Sequence, residues 1–309
     1  MEVTQDQLYR QCATSLLTDF TKGYNGTILA YGQTGSGKTY TMGAAKASEQ
    51  DVANQGLISR FVTDLFENLM VRQNSGELIE FGIKASYLEI YDEKVYDLLP
   101  LKYTIHDASL DVREDKSKWF AQGLQMHTVS DTSSTLSLLH TGACRRATAR
   151  TDANARSSRS HALFALHLEQ RVCGEEKEDV QVLHSKFTFA DLAGSERVAQ
   201  SGAEGQRRKE GISINQGLVQ LRMVITDLVK KAGNSKGPIH NDKENSKSMM
   251  NTHSKKQDNK QTGHVNYRGS NLTKLLKDAL GGNSQTLFLA CVSPSAEHEN
   301  ETKSTLEVK

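Results

Sequence analysis

Several absences narrow what this 309-residue sequence can be. No apolar run approaches the roughly 20 residues that a membrane-crossing helix needs; the longest covers residues 286–292. The N-terminus has no signal-peptide pattern of charge followed by an apolar stretch. Charge of one sign is missing too. With 38 basic against 37 acidic residues the net charge is +1, so nothing global points to nucleic acid or a membrane surface, and an electrostatic partner must meet a local patch. The four cysteines, Cys12, Cys144, Cys173 and Cys291, include no C-x-x-C pair. That favours small, reduced, buried thiols over a disulfide framework or a zinc site. The expectation is a soluble cytoplasmic chain, long enough to bury a sizeable α/β core.

One stretch organises the rest. Gly32, Gln33, Thr34, Gly35, Ser36, Gly37, Lys38 and Thr39 read G-x-x-x-x-G-K-[ST], directly after an apolar run at residues 27–31 that suits a buried strand. Glycines let a backbone curl so that successive N–H groups face an anion, and a following helix N-terminus adds partial positive charge. This pattern predicts a phosphate chain with Mg²⁺, with Lys38 at the β- and γ-phosphates and the Thr39 hydroxyl on the metal. A bare glycine turn is the alternative.

Upstream, Thr4 and Gln7 form a capping box, and Leu8, Cys12, Leu16 and Phe20 recur every four residues, which predicts one amphipathic helix over 5–22. Downstream, Ile58, Phe61, Val62, Leu65, Phe66 and Leu69 mark a second helix with one apolar face. Residues 81–99 then read as a strand, a turn and a short apolar stretch. Asp191 leaves a buried strand around residues 187–190, the usual position of a second anchor for a metal shell, and Gly194 suits a point where backbone must approach a phosphate closely.

The string from Asn154 to His161, N-A-R-S-S-R-S-H, the string D-L-A-G-S-E from Asp191 to Glu196, and S-Y-L-E-I-Y-D-E from Ser86 to Glu93 together resemble the kinesin motor domain over nearly the whole chain. That resemblance implies a P-loop NTPase α/β fold: a mixed, mainly parallel central sheet with helices on both faces and the nucleotide at the strands' C-terminal edge. It implies a single partial motor domain over 1–309 that hydrolyses ATP and binds microtubules of the cytoskeleton. By the resemblance, Ser157 lines the γ-phosphate, Ser158 joins Thr39 and Asp191 around Mg²⁺, and Arg159 pairs with Glu196 to position the attacking water. Lys38, Ser157, Ser158, Arg159, Gly194 and Glu196 form the expected catalytic set.

Beyond residue 210 the chain resembles the family's relay helix, with Arg222 and Met223 where the family usually has Gly and Asn. Residues 233–266 turn polar, with six lysines against three acids, and predict a disordered loop; the resemblance implies that it faces the microtubule, and a solvated insertion with no partner is the alternative. Arg268 and Lys274 are the further track-contact candidates, whereas Gly269 and Asn271 replace the family's Asp and Lys. The resemblance begins after the family's usual first strand, with its adenine-flanking motif, and after its small β lobe. Residues 301–309 replace the family's final helix, and no neck linker or dimerising coiled coil follows. A non-motile, truncated microtubule-binding module is therefore the alternative function. A GTPase reading is weaker, since Asn259-Lys260-Gln261-Thr262 lacks the acid of a guanine-reading motif, and a small-molecule kinase leaves the two switch strings unexplained.

Overall fold

The computed structural model describes residues 3–43, 52–101, 108–148, 158–173, 180–196, 206–234 and 265–307, with backbone alone for 52, 206–215 and 233–234. Strand β1 (Asn25–Tyr31) is apolar through Ile28, Leu29 and Ala30, all fully buried, as a strand covered on both faces must be. Its neighbours are β8 (Val180–Asp191) and β9 (Ser284–Ala290), both parallel to it, and Ala30 lies level with Asp191. The sheet continues from β8 to β7 (His161–Cys173), β2 (Leu78–Tyr91) and β3 (Lys94–Asp97), while β6 (His127–Val129) also pairs with β2. A hairpin of β4 (Val112–Asp115) and β5 (Lys118–Ala121) stands apart from it.

The sheet is mixed, but the expected emphasis on parallel pairing does not hold among the described strands. Only the two pairings of β1 are parallel; the four others are antiparallel. Short connections explain part of this, since β2 turns into β3 through Asp92 and Glu93, both at positive φ (51° and 56°), and a two-residue loop can join only antiparallel strands. β9 stands at the sheet edge.

One face of the sheet packs against α1 (Gln5–Cys12), α2 (Thr14–Thr21), α4 (Leu57–Asn74) and α5 (Thr132–Thr148). Its centre is aromatic: Phe61 lies 4.2 Å from Phe187 and 5.2 Å from Phe189, ring centre to ring centre, with Phe20 edge-on to Phe187. The single helix expected over 5–22 divides at Ala13. The hydroxyls of Thr14 and Thr18 donate to the carbonyls of Arg10 and Thr14, a local bond that bends helices. The start of α5 is held by Asp131, whose carboxylate accepts from the Ser134 N–H at 2.7 Å.

On the other face Leu29, Tyr31, Leu88, Ile90 and Leu163 meet α6 (Gln206–Asn234) through Leu218, Leu221 and Val224, and α7 (Asn271–Leu275) through Leu272. Ser270 caps α7 by accepting from the Thr273 N–H. Residues 301–309, expected to replace a helix, contribute most of one: α8 (Glu299–Leu306), anchored by buried Glu301 and Thr305. Of the loop expected over 233–266, Gly233 and Asn234 end α6, Val265 is buried, and 235–264 lie outside the described residues.

Candidate active site

The loop after β1 turns through Gly32 (φ 149°), Gly35 (φ 80°) and Gly37 (φ 94°), three backbone conformations that side chains disfavour. Gly32 has a second constraint. A Cβ there would fall 1.9 Å from the Cys291 carbonyl oxygen, because β9 leaves the sheet directly beside it. At Gly35 and Gly37 a Cβ would meet nothing within 4 Å, so space lies open beside the loop. Gly37 is the N-cap of α3 (Lys38–Met42), which places the Lys38 and Thr39 N–H groups at a helix start.

Lys38 is buried, and its ammonium donates to the Gly32 and Gln33 carbonyls at 2.8 and 2.7 Å. Burial lowers its pKa, against the pull of Asp191 and Glu196. These two carbonyls hold the ammonium inside the curl of the loop, next to the chain that would surround a phosphate.

The parallel pairing of β1 and β8 brings Asp191 to the same edge. Its Oδ2 accepts from the Thr39 hydroxyl at 2.9 Å and from Arg146 at 2.6 Å. Its Oδ1 is buried without a hydrogen-bond partner. Hard oxygen donors with one carboxylate oxygen uncommitted are a set that Mg²⁺ accepts, directly or through water. The residues present therefore fit the metal.

Arg146 had no signal in the sequence beyond being one of two arginines ending a helix. Tertiary packing distinguishes them: Arg146 is almost wholly buried and also donates to the Ser160 hydroxyl and carbonyl, at 3.2 and 2.8 Å. Burial opposes its charge, yet Asp191 and Tyr87 carry its pKa upward.

Three backbone contacts draw the distant segments together. The Gly194 N–H donates to the Ser158 carbonyl (2.9 Å), the Ser195 N–H to the Gly32 carbonyl (3.1 Å), and the Ala193 N–H to His161 Nδ1 (3.0 Å). His161 can accept because burial, with Arg146 and Lys38 nearby, pushes its pKa down to about 3 and keeps the ring neutral. A Cβ on Gly194 would lie 2.2 Å from Glu196 Oε2 and 2.3 Å from Thr34 Oγ1, so any larger residue would have to displace the Glu196–Thr34 contact.

The Glu196 carboxylate accepts from the Thr34 N–H at 2.8 Å and from the Thr34 hydroxyl. Among the described residues no ion pair joins it to Arg159; the acid is turned instead toward the phosphate loop. Ser157 lies outside the described residues, as do residues 154–156.

A family model described as the kinesin motor domain matches residues 1–308. The chain belongs to the kinesin motor-domain family. It is 39% identical over 307 residues to kinesin-like protein kif7 of Danio rerio, covering 98% of this chain and 20% of that protein. Chromosome-associated kinesin KIF4 of Xenopus laevis is 41% identical over 306 residues, 98% of this chain and 22% of the relative. The chain thus spans about a fifth of the length of these relatives. Among solved structures, a KIF14 dimer in a two-heads-bound state, with AMP-PNP and in complex with a microtubule, superposes with a TM-score of 0.80 at 37% identity, covering 99% of this chain and 75% of that one. The central sheet, flanking helices and phosphate loop are those of a P-loop NTPase-like α/β fold.

The departures from the usual kinesin pattern have structural accommodations. Arg222 and Met223 both face solvent on α6, beside Leu221 and Val224, which are buried; Arg222 lies 3.6 Å from Glu307 at the end of α8. Gly269 leaves room for Gln220, whose Oε1 would lie 2.3 Å from a Cβ. Asn271 holds the β2–β3 turn, its N–H and side-chain amide donating to Glu93 at 2.7 and 2.6 Å. Arg268 pairs with Glu114 at 2.8 Å, and Arg268 and Lys274 stand over the Trp119 ring at 5.8 and 5.4 Å. No described helix is long and apolar enough to cross a membrane.

Proposed function

We propose that this kinesin domain binds ATP with Mg²⁺ at the edge of β1 and β8, hydrolyses it by in-line attack of water, and couples that cycle to microtubule binding. One observation carries the reading. Three segments far apart in sequence, at Lys38, Ser158 and Asp191 to Glu196, meet through Thr39–Asp191, Ser158–Gly194 and Thr34–Glu196 contacts.

Gly32, Gln33, Thr34, Gly35, Ser36 and Gly37 cradle the phosphates, and Lys38 balances their charge. Thr39, Asp191 and Ser158 hold the metal, which supplies charge neutralisation at the phosphate oxygens when bound. Arg146 fixes Asp191 from behind. Gly194, whose N–H donates to the Ser158 carbonyl in this structure, turns it to the γ-phosphate when nucleotide is bound, and Glu196, released from Thr34, takes up Arg159 to orient water, with Ser157 completing the wall. Arg268, Lys274 and the lysines of 233–266 face the acidic surface of the microtubule, whose attraction is long-ranged and salt-dependent.

Phosphate release by the purified chain with and without microtubules tests this. Microtubules should raise turnover, and charge reversal at Arg159 or Glu196 should abolish turnover while nucleotide binding persists. Full turnover in either variant rejects the assigned roles, and turnover indifferent to microtubules rejects the coupling.

A further inference from the structure

The face of the sheet that carries Leu29 changes character along its length. The row nearest the phosphate loop, Leu29, Ala190, Leu163 and Leu88, is apolar; the next, Thr27, Thr188, Ala165 and Ser86, is small and mostly polar. One step further, Lys186, His167 and Lys84 lie directly opposite one another on β8, β7 and β2, with Thr128 of β6 beyond Lys84. Asn25 closes the row on β1 by accepting from the Lys186 N–H at 2.8 Å.

Like charges directly opposite on a sheet repel, and here two lysines flank one histidine. Both push down on the His167 pKa, which burial first and then Lys186 and Lys84 bring to about 4. Lys186 is itself lowered by burial and by Lys118, with Asp278 opposing.

This row floors a cleft of about 960 Å³, within the range of small-molecule sites. The overhanging hairpin supplies Trp119 and Phe120, and Met126 adds a third apolar side chain; Phe120 is 44% exposed and Met126 42%. Three acids also line the cleft: Glu169 lies 3.6 Å from His184, Asp115 stands opposite Lys118 in the hairpin, and Asp278 acts on Lys186, opposing the effect of burial. Lys84, Lys116, Lys118 and Lys186 outnumber them on the lining.

We propose that this cleft is a binding site for a small organic anion, a carboxylate or phosphate monoester on a flat apolar body. The oxyanion meets Lys84, His167 and Lys186, and the body lies against Trp119, Phe120 and Met126. The site is separate from the nucleotide edge, since Asn25 and Tyr31 stand at opposite ends of β1, about 20 Å apart at the rise of a strand. It does not depend on the proposed hydrolysis.

Trp119 is the only tryptophan in the chain, so its fluorescence reports the cleft directly. Phenyl phosphate and benzoate should each give a saturable change, at least about tenfold tighter than benzyl alcohol or inorganic phosphate alone, as expected for a charge-assisted contact added to an apolar one. The relative strengths of the two anions distinguish phosphate from carboxylate as the preferred group. Lys186→Gln and Lys84→Gln should each weaken binding about tenfold, whereas Lys38→Ala should not alter the response. In the wild-type protein, phenyl phosphate should also raise the titration midpoint of the His167 ring in NMR spectra, a readout that survives if a lysine variant fails to fold. Non-saturable quenching, equal response to benzyl alcohol, an unmoved His167 midpoint, or loss of response in Lys38→Ala with retention in Lys186→Gln would each overturn the proposal.

Discussion

The two ends of the sheet handle buried charge in opposite ways. At the phosphate-loop edge the charged groups of the site are met by opposite charge, a hydroxyl or a carbonyl: Asp191 by Arg146 and Thr39, Lys38 by Gly32 and Gln33. At the far end, Lys84 and Lys186 face each other across a histidine. The first arrangement is settled within the protein and needs its charges to fold. In the second, Asp278 offsets part of the lysine charge and the remainder is open to a ligand from outside. Removing one charge should therefore have opposite signs at the two ends.

The largest effect belongs to the matched end. Arg146→Met strips buried Asp191 of its direct ion-pair partner and leaves only the pull of Lys38, a change that typically costs about 3–5 kcal/mol because breaking a buried pair strands an ion away from water. Urea unfolding should show that loss, together with collapse of nucleotide affinity. Destabilisation below about 1 kcal/mol would mean that water enters and solvates Asp191.

Acid should act next, on both ends at once. His161 and His167 have folded pKa values of about 3 and about 4 against an ordinary 6.5, so the unfolded chain binds the extra protons. Their contribution to stability is fully present above about pH 6.5, and it is lost as pH falls toward 4 for His167 and 3 for His161. Unfolding free energy measured at pH 7.5, 6 and 5 should fall stepwise, and His167→Gln should flatten part of the slope. A profile level between pH 7.5 and 5 would contradict the burial of both rings.

How much of this could be read from residues alone divides along the same line. The phosphate loop, Asp191 and Gly194 were legible because their chemistry is written in short contiguous strings whose glycines have conformational reasons to be glycine. The apolar strands around them were legible from hydropathy. Arg146 was not, because adjacent arginines on a helix point about 100° apart and only the packed sheet decides which one turns inward. The Thr34 contact of Glu196 was equally invisible, because only the tertiary approach of the two loops brings the acid to the Thr34 N–H and hydroxyl. The break at Ala13 was masked by an apolar spacing that runs through it unchanged. The Lys84–His167–Lys186 row combines residues from three separated strands, and a one-residue slip in any register would scatter it.

The smallest predicted effect is also the sharpest discriminator. Strands two apart in a sheet are separated by about 9.6 Å, so the repulsion between Lys84 and Lys186, part-screened at a partly open cleft, amounts to roughly 0.5 kcal/mol. Lys84→Gln should therefore stabilise the fold by about that much and raise the His167 midpoint, while the same substitution weakens anion binding. A stabilising change that removes a ligand is the pattern of a site kept under electrostatic strain for binding. If Lys84→Gln instead destabilises the protein and leaves the His167 midpoint where it was, the row is balanced by groups outside the cleft, and the contrast between the two ends disappears.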